Sequence, residues 1–189
     1  MSSKFKVTFT LDESDASYFR NLYRKAKKGA KNQRPEQVIR DARAIVKDVR
    51  SSKKTPSFVE DAITVLSDLV DLIQDEAYAA PQRVRNEVLA ALAYFSDPED
   101  LIPDHIPGLG FLDDAIMVKF IEDEFKHELW GYRKFCKNRD SAEQRPWASS
   151  AKGRLEERLV ADRKKIRGEI AEREAREALK KKSRVHLGW

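Results

Sequence analysis

Six carboxylates fall within eighteen residues, at Asp97, Glu99, Asp100, Asp104, Asp113 and Asp114 of the run DPEDLIPDHIPGLGFLDD. Oxygen ligands of this kind suit a hard divalent cation, Mg²⁺ or Ca²⁺, and a metal-bound water would make the loop a phosphoester hydrolase. The candidate ligands are Asp97, Asp100, Asp104, Asp113 and Asp114, because like charges crowded into one loop repel unless something neutralises them. No phosphate-binding glycine loop or evident general base accompanies them. Helix N-termini, or Arg83, Arg85 and Lys119, would neutralise them without a metal. His105, beside Asp104, reads as a turn histidine with a backbone partner, the alternative being a ligand or proton carrier.

The same block also has a reading without chemistry. Asp97-Pro98 suits the start of a turn, Pro103 and Pro107 restrict the backbone further, and Gly108 and Gly110 permit positive backbone angles. Leu101, Ile102, Ile106, Leu109 and Phe111 would bury themselves between the flanking helices and fasten a long connection. Asp113 is placed to cap the helix that follows, with Asp114 against its positive end. Asp100 and Asp104 are the carboxylates least readily assigned to capping.

The elements that must hold this loop are mostly helical. Asp12 or Ser14 caps a first helix carrying Phe19, Leu22, Tyr23 and Ala26 at helical spacing. Pro35 opens a second, with Val38, Ala42, Ile45 and Val49 inward. A third follows Thr55-Pro56-Ser57, where Ser57 and Glu60 have capping-box spacing, and buries Val59, Ala62, Ile63, Leu66, Leu69, Val70 and Ile73. Its Asp61, Asp68, Asp71 and Asp75 read as a solvated face, with a cation-binding stripe as the alternative. Pro81 begins a fourth helix, with Val84, Val88, Leu92 and Phe95 along one side. Asp113 begins a fifth, with Met117, Phe120, Ile121, Phe125, Leu129 and Tyr132 toward the core.

Both ends depart from this pattern. Residues 4–11, KFKVTFTL, alternate strictly, with Phe5, Val7, Phe9 and Leu11 on one face and Lys4, Lys6, Thr8 and Thr10 on the other, as in a half-buried strand. One strand cannot satisfy its own backbone, so it is expected to pair with the alternating C-terminus at Val185, Leu187 and Trp189 or with its own copy in a homodimer. Residues 154–182 are mostly charged, with supporting pairs Glu169/Arg173, Glu172/Arg176 and Glu177/Lys181. They read as a long helix that docks weakly at its start through Leu155, Leu159, Ile166 and Ile170.

Net charge is +5 over 189 residues but is distributed unevenly: residues 1–54 carry 15 basic against 6 acidic side chains, 55–130 carry 4 against 17, and 131–189 carry 18 against 9. The basic flanks thus have a negative partner inside the chain, so self-complementation competes with nucleic acid or an anionic membrane as the explanation. No stretch approaches the ~18 apolar residues of a membrane span. The lone Cys136 excludes an internal disulfide and agrees with a reducing, cytoplasmic location; it reads as a small buried hydrophobe. Glu124 and His127 have the Glu-x-x-His spacing of di-iron bundles, which need a second such helix. His127 therefore reads as a partly exposed surface residue.

The run 90–114 resembles the signature of the YkvA-like family, small bacterial helical proteins built on a domain of unknown function. Tyr94, Asp97, Pro98, Asp100, Leu101, Ile102, Pro103, Asp104, Pro107, Gly110, Asp113 and Asp114 carry the resemblance, and with its flanks it covers residues 84–130. It implies a helical fold and no established activity. Many members are more apolar and membrane-associated, from which this chain departs in its acidic helices and charged tail.

The reading is an all-α helical bundle of about five helices, with a short N-terminal strand and a long charged C-terminal helix. Residues 1–146 form the helical domain and 147–189 the charged helix and tail. The expected function is a non-enzymatic interaction or scaffold module in the cytoplasm. The alternatives are a metal-dependent hydrolase at the Asp-rich loop, and a binder of nucleic acid or of the membrane periphery through the basic termini.

Overall fold

Apolar residues recurring at helical spacing fold the chain into α1 (Glu13–Gly29), α2 (Pro35–Ser51), α3 (Ser57–Gln74), α4 (Gln82–Leu92), α5 (Leu112–Glu143) and α6 (Lys152–His186). This computed structural model describes residues 10–30, 33–52, 55–96, 102, 110–144 and 152–186. Among the described residues no helix is long and apolar enough to cross a membrane.

Local chemistry sets most helix starts. Asp12 caps α1 by accepting from the amides of Ser14 and Asp15 at 2.7 and 3.0 Å, while Asp15 accepts from the Asp12 amide at 3.1 Å. Pro35 opens α2, as its fixed backbone angle allows. The Ser57/Glu60 capping box does not form: Pro56 occupies the cap position of α3, and Ser57 is already inside the helix.

α3 is the central element. It packs on α2 on one side and on α5 on the other, and α5 in turn carries α6. Leu66, Leu69, Val70 and Leu72 are fully enclosed, so α3 buries more than one face. Ala62 is only partly buried. A short 3₁₀ turn, Ala93–Ser96, extends α4 and buries Ala93 and Phe95. α5 departs from helical geometry at Phe125 (φ −101°, ψ 15°), which divides it into two limbs. Both limbs meet α3, and the second also meets α6.

Both terminal expectations change. The alternating segment falls largely on residues outside those described; its last two members, Thr10 and Leu11, are coil, and no strand occurs among the described residues. Of its expected C-terminal partner, Val185 lies in α6, which continues through His186, while Leu187 and Trp189 lie outside the described residues. The Lys, Arg, Ala and Leu residues that lead into that end are good helix formers.

α6 docks over its middle rather than its start. Ile166 and Ile170 are 1% and 3% exposed, and they lie against Gly131 of α5, where a Cβ would stand 2.5 Å from Ile170 Cδ1 and 3.1 Å from Ile166 Cγ2. Polar partners continue the seam in antiparallel order. Lys134 meets Glu169, Arg173 stacks 3.7 Å above the Trp130 ring, and Lys126 meets Glu177 at 2.6 Å.

Candidate functional site

The start of α5 carries the two loop aspartates that are described. Asp113 and Asp114 lie in the first turn and are 4% and 8% exposed. A helix N-terminus favours negative charge there. Asp113 Oδ2 accepts the backbone N–H of Ile102 at 3.2 Å, across eleven residues of sequence. This corrects its expected role: the cap position belongs to Phe111, which makes no side-chain cap bond, and Asp113 reaches back to hold the incoming connection. Phe111 has φ 68°, a left-handed conformation costly for a bulky residue. Gly110 precedes it, buried. Asp97, Asp100, Asp104, His105, Pro98, Pro103, Pro107 and Gly108 lie outside the described residues. Among the described residues no three His, Cys, Asp or Glu side chains are grouped to hold a metal ion.

The aspartate stripe of α3 is engaged by neighbouring helices. Asp68 pairs with Arg133 at 2.6 Å, Asp71 with Arg43 at 2.9 Å, and Asp75 with Arg139 at 2.6 Å. On α5, Glu124 accepts from Tyr23 at 2.7 Å and from Lys27 at 2.6 Å, both on α1. His127 instead lies 2.7 Å from Glu177 of α6. Glu124 and His127 thus serve different helices, which leaves the di-iron spacing without a shared centre.

A buried polar cluster escaped sequence reasoning. Glu128 is 8% exposed and accepts from the Tyr78 hydroxyl at 3.3 Å and from Arg167 at 2.5 Å. Arg167 also stacks 4.5 Å from the Tyr78 ring centre, and Arg163 donates to the Ala77 carbonyl at 3.3 Å. Burial, with Glu128 alongside, pushes the Tyr78 phenol well above its ordinary range, although Arg167 opposes the shift. The phenol therefore stays a neutral donor. The cluster clamps α6 to the α3–α4 turn, where Ala79 adopts φ 46°. Nothing in the spacing of 78, 128 and 167 announces it.

Cys136 is half-buried, not fully buried. Burial raises its thiol pKa, with Tyr132 and Arg139 opposing, so it is a weak nucleophile.

Beside the α5 start a groove of about 870 Å³ opens between α3 and the first limb of α5. Phe58, Ala62, Val65, Ile116 and Phe120 line it, together with Leu11 from the segment ahead of α1. Asp61, Glu122 and Asp123 edge it together with Lys119, which pairs with Glu122 at 2.7 Å and Asp123 at 3.5 Å.

Residues 85–120, from α4 through the connection to the first limb of α5, match the family model described as "Protein of unknown function (DUF1232)". A 46-residue stretch is 48% identical to the "Uncharacterized membrane protein YkvA" of Bacillus subtilis (strain 168), covering 24% of this chain and 43% of that protein. No solved structure matches the chain. The chain thus carries the YkvA-like segment of a family of unknown function, and carries it where α4 is joined to α5.

Proposed function

We propose that this protein is a non-enzymatic helical interaction module in which the YkvA-like segment is a structural fastener. The observation that carries this reading is the bond from the Ile102 amide to buried Asp113, which commits a signature carboxylate to holding the connection against α5. The charged side chains of α3, α5 and α6 support it, since they join one helix to another. The partner-facing element is then the outer side of α6, where Val160 and Leu179 are 52% and 66% exposed.

Recovery of the tagged full chain from cells at two salt concentrations tests this. A defined protein partner that persists at high salt and is lost in Val160→Asp or Leu179→Asp supports the reading. Metal-dependent phosphoester turnover, abolished in Asp113→Asn, contradicts it.

The name of the Bacillus subtilis relative favours a second reading, peripheral association with a membrane. Co-sedimentation with anionic vesicles that falls steeply with salt and is absent with neutral vesicles supports that reading.

A further inference from the structure

The outer side of α6 carries a face that the described part of its own chain leaves uncovered. Val160, Lys164, Gly168, Ala171, Ala175 and Leu179 follow one another at intervals of three or four residues and are all exposed. They fall within about 100° of helical arc, turned away from Ile166 and Ile170, which seat α6 on α5. Val160 and Leu179 are the two most exposed large apolar side chains among the described residues. Gly168 contrasts with Gly131. Glycine is the poorest helix former after proline, yet no atom lies within 4 Å of where a Cβ of residue 168 would stand, so the close approach that explains Gly131 is missing there.

The face is complementary to itself when reversed. Turned end for end about the point midway between Glu169 and Ile170, it sets Val160 against Leu179 and Gly168 against Ala171. The same reversal sets Glu157 against Lys182 and brings Lys165 within a turn of Glu172, all four of them exposed. Large apolar side chains thus meet toward the ends, small residues meet at the centre where two helix axes can approach closely, and opposite charges meet beyond them. A parallel arrangement in register would instead oppose Glu157 to Glu157 and Lys182 to Lys182. Self-complementarity of this kind is what a two-fold contact between identical chains requires.

We propose that the outer face of α6 docks a second copy of this chain, the two α6 helices lying antiparallel, with Val160 of each against Leu179 of the other and Glu157 against Lys182. The inference rests on the reading of α6 as the partner-facing element and names that partner.

Sedimentation equilibrium of the full chain should give the mass of two chains, and Leu179→Asp the mass of one with unchanged far-UV circular dichroism. Lys182→Glu should weaken association at least tenfold, and adding Glu157→Lys to the same chain should restore it. Orientation is read in full chains carrying Cys136→Ala, so that each engineered cysteine stands alone. A mixture of Val160→Cys and Leu179→Cys chains should form the mixed disulfide at least ten times faster than either chain forms a disulfide with its own kind. Disulfides between like chains that outpace the mixed one would overturn the antiparallel pairing. A single-chain mass for the unmodified protein would overturn the second copy as occupant. If a different protein were then recovered from cells and lost in Leu179→Asp, the interaction-module reading would stand without this inference; if none were recovered, both would fall.

Discussion

At the scale of single residues, the structure separates side chains that look alike in sequence. Asp113 was legible as a residue of the α5 start but not in its role, because residue type does not reveal that an amide eleven positions earlier will arrive within 3.2 Å. Glu128 gave no signal, being one acidic residue in an acidic helix until Tyr78 and Arg167 enclose it. Breaking an enclosed charge pair from one side leaves the other charge uncompensated. Glu128→Ala should therefore destabilise the fold by about 3 kcal/mol, read from urea unfolding, and a loss below about 1 kcal/mol would contradict the enclosure. Ala79 offers the opposite case. Its φ of 46° is strained for alanine and free for glycine, so Ala79→Gly should raise stability by roughly 0.5–1 kcal/mol despite the entropy glycine adds to the unfolded chain. A lower melting temperature would contradict that account. Glu177 carries a pH dependence. Hydrogen bonds from Lys126 and then His127 hold its carboxyl at about 2, below the ordinary 4.5. A depressed folded pKa means the contribution is complete above about 4.5 and is lost as pH falls toward 2. Carboxyl NMR of Glu177 should show the low midpoint, and a midpoint near 4.5 would show that α6 is not held there.

At the scale of elements, apolar periodicity made α1 to α5 readable and placed Pro35 and Pro81 at their starts. The errors have definite causes. Ser57 and Glu60 satisfied a spacing rule, but Pro56 took the cap position. The docked stretch of α6 was underestimated because much of its inner face is charged: Arg167, Glu169 and Glu177 point to partners on α5 that only the fold brings near. Gly131 marks the closest approach in this seam. Glycine inside a helix costs about 1 kcal/mol relative to alanine, so its place in α5 reflects the room Ile166 and Ile170 require. Gly131→Ala should cost about 1–2 kcal/mol net, overpacking outweighing helix propensity, and should speed proteolysis within α6. Unchanged proteolysis would mean that α6 is not seated on that glycine.

At the scale of the whole molecule, the alternation of basic, acidic and basic regions finds its complement inside the chain. Arg43 and Lys27 from the first region, and Arg133, Arg139 and Arg167 from the last, meet carboxylates of the middle one. Charge counts raised self-complementation only as one explanation beside a polyanion partner, and the matching of helices was not readable, since it depends on which faces pack. The helical fold class was readable for the same reason that the α3–α5 groove was not: periodicity reports which residues seek burial, and a groove forms where two packed helices leave that burial incomplete. The central claim is that the YkvA-like segment fastens α4 to α5 rather than performing catalysis. Its most direct test is urea unfolding of the full chain and of Asp113→Ala, each with and without millimolar Mg²⁺ or Ca²⁺. A buried acceptor lost from one backbone amide predicts a decrease of about 1–3 kcal/mol that is the same with and without metal. A wild-type chain that gains stability from the cation, and an Asp113→Ala chain that does not, would contradict the account.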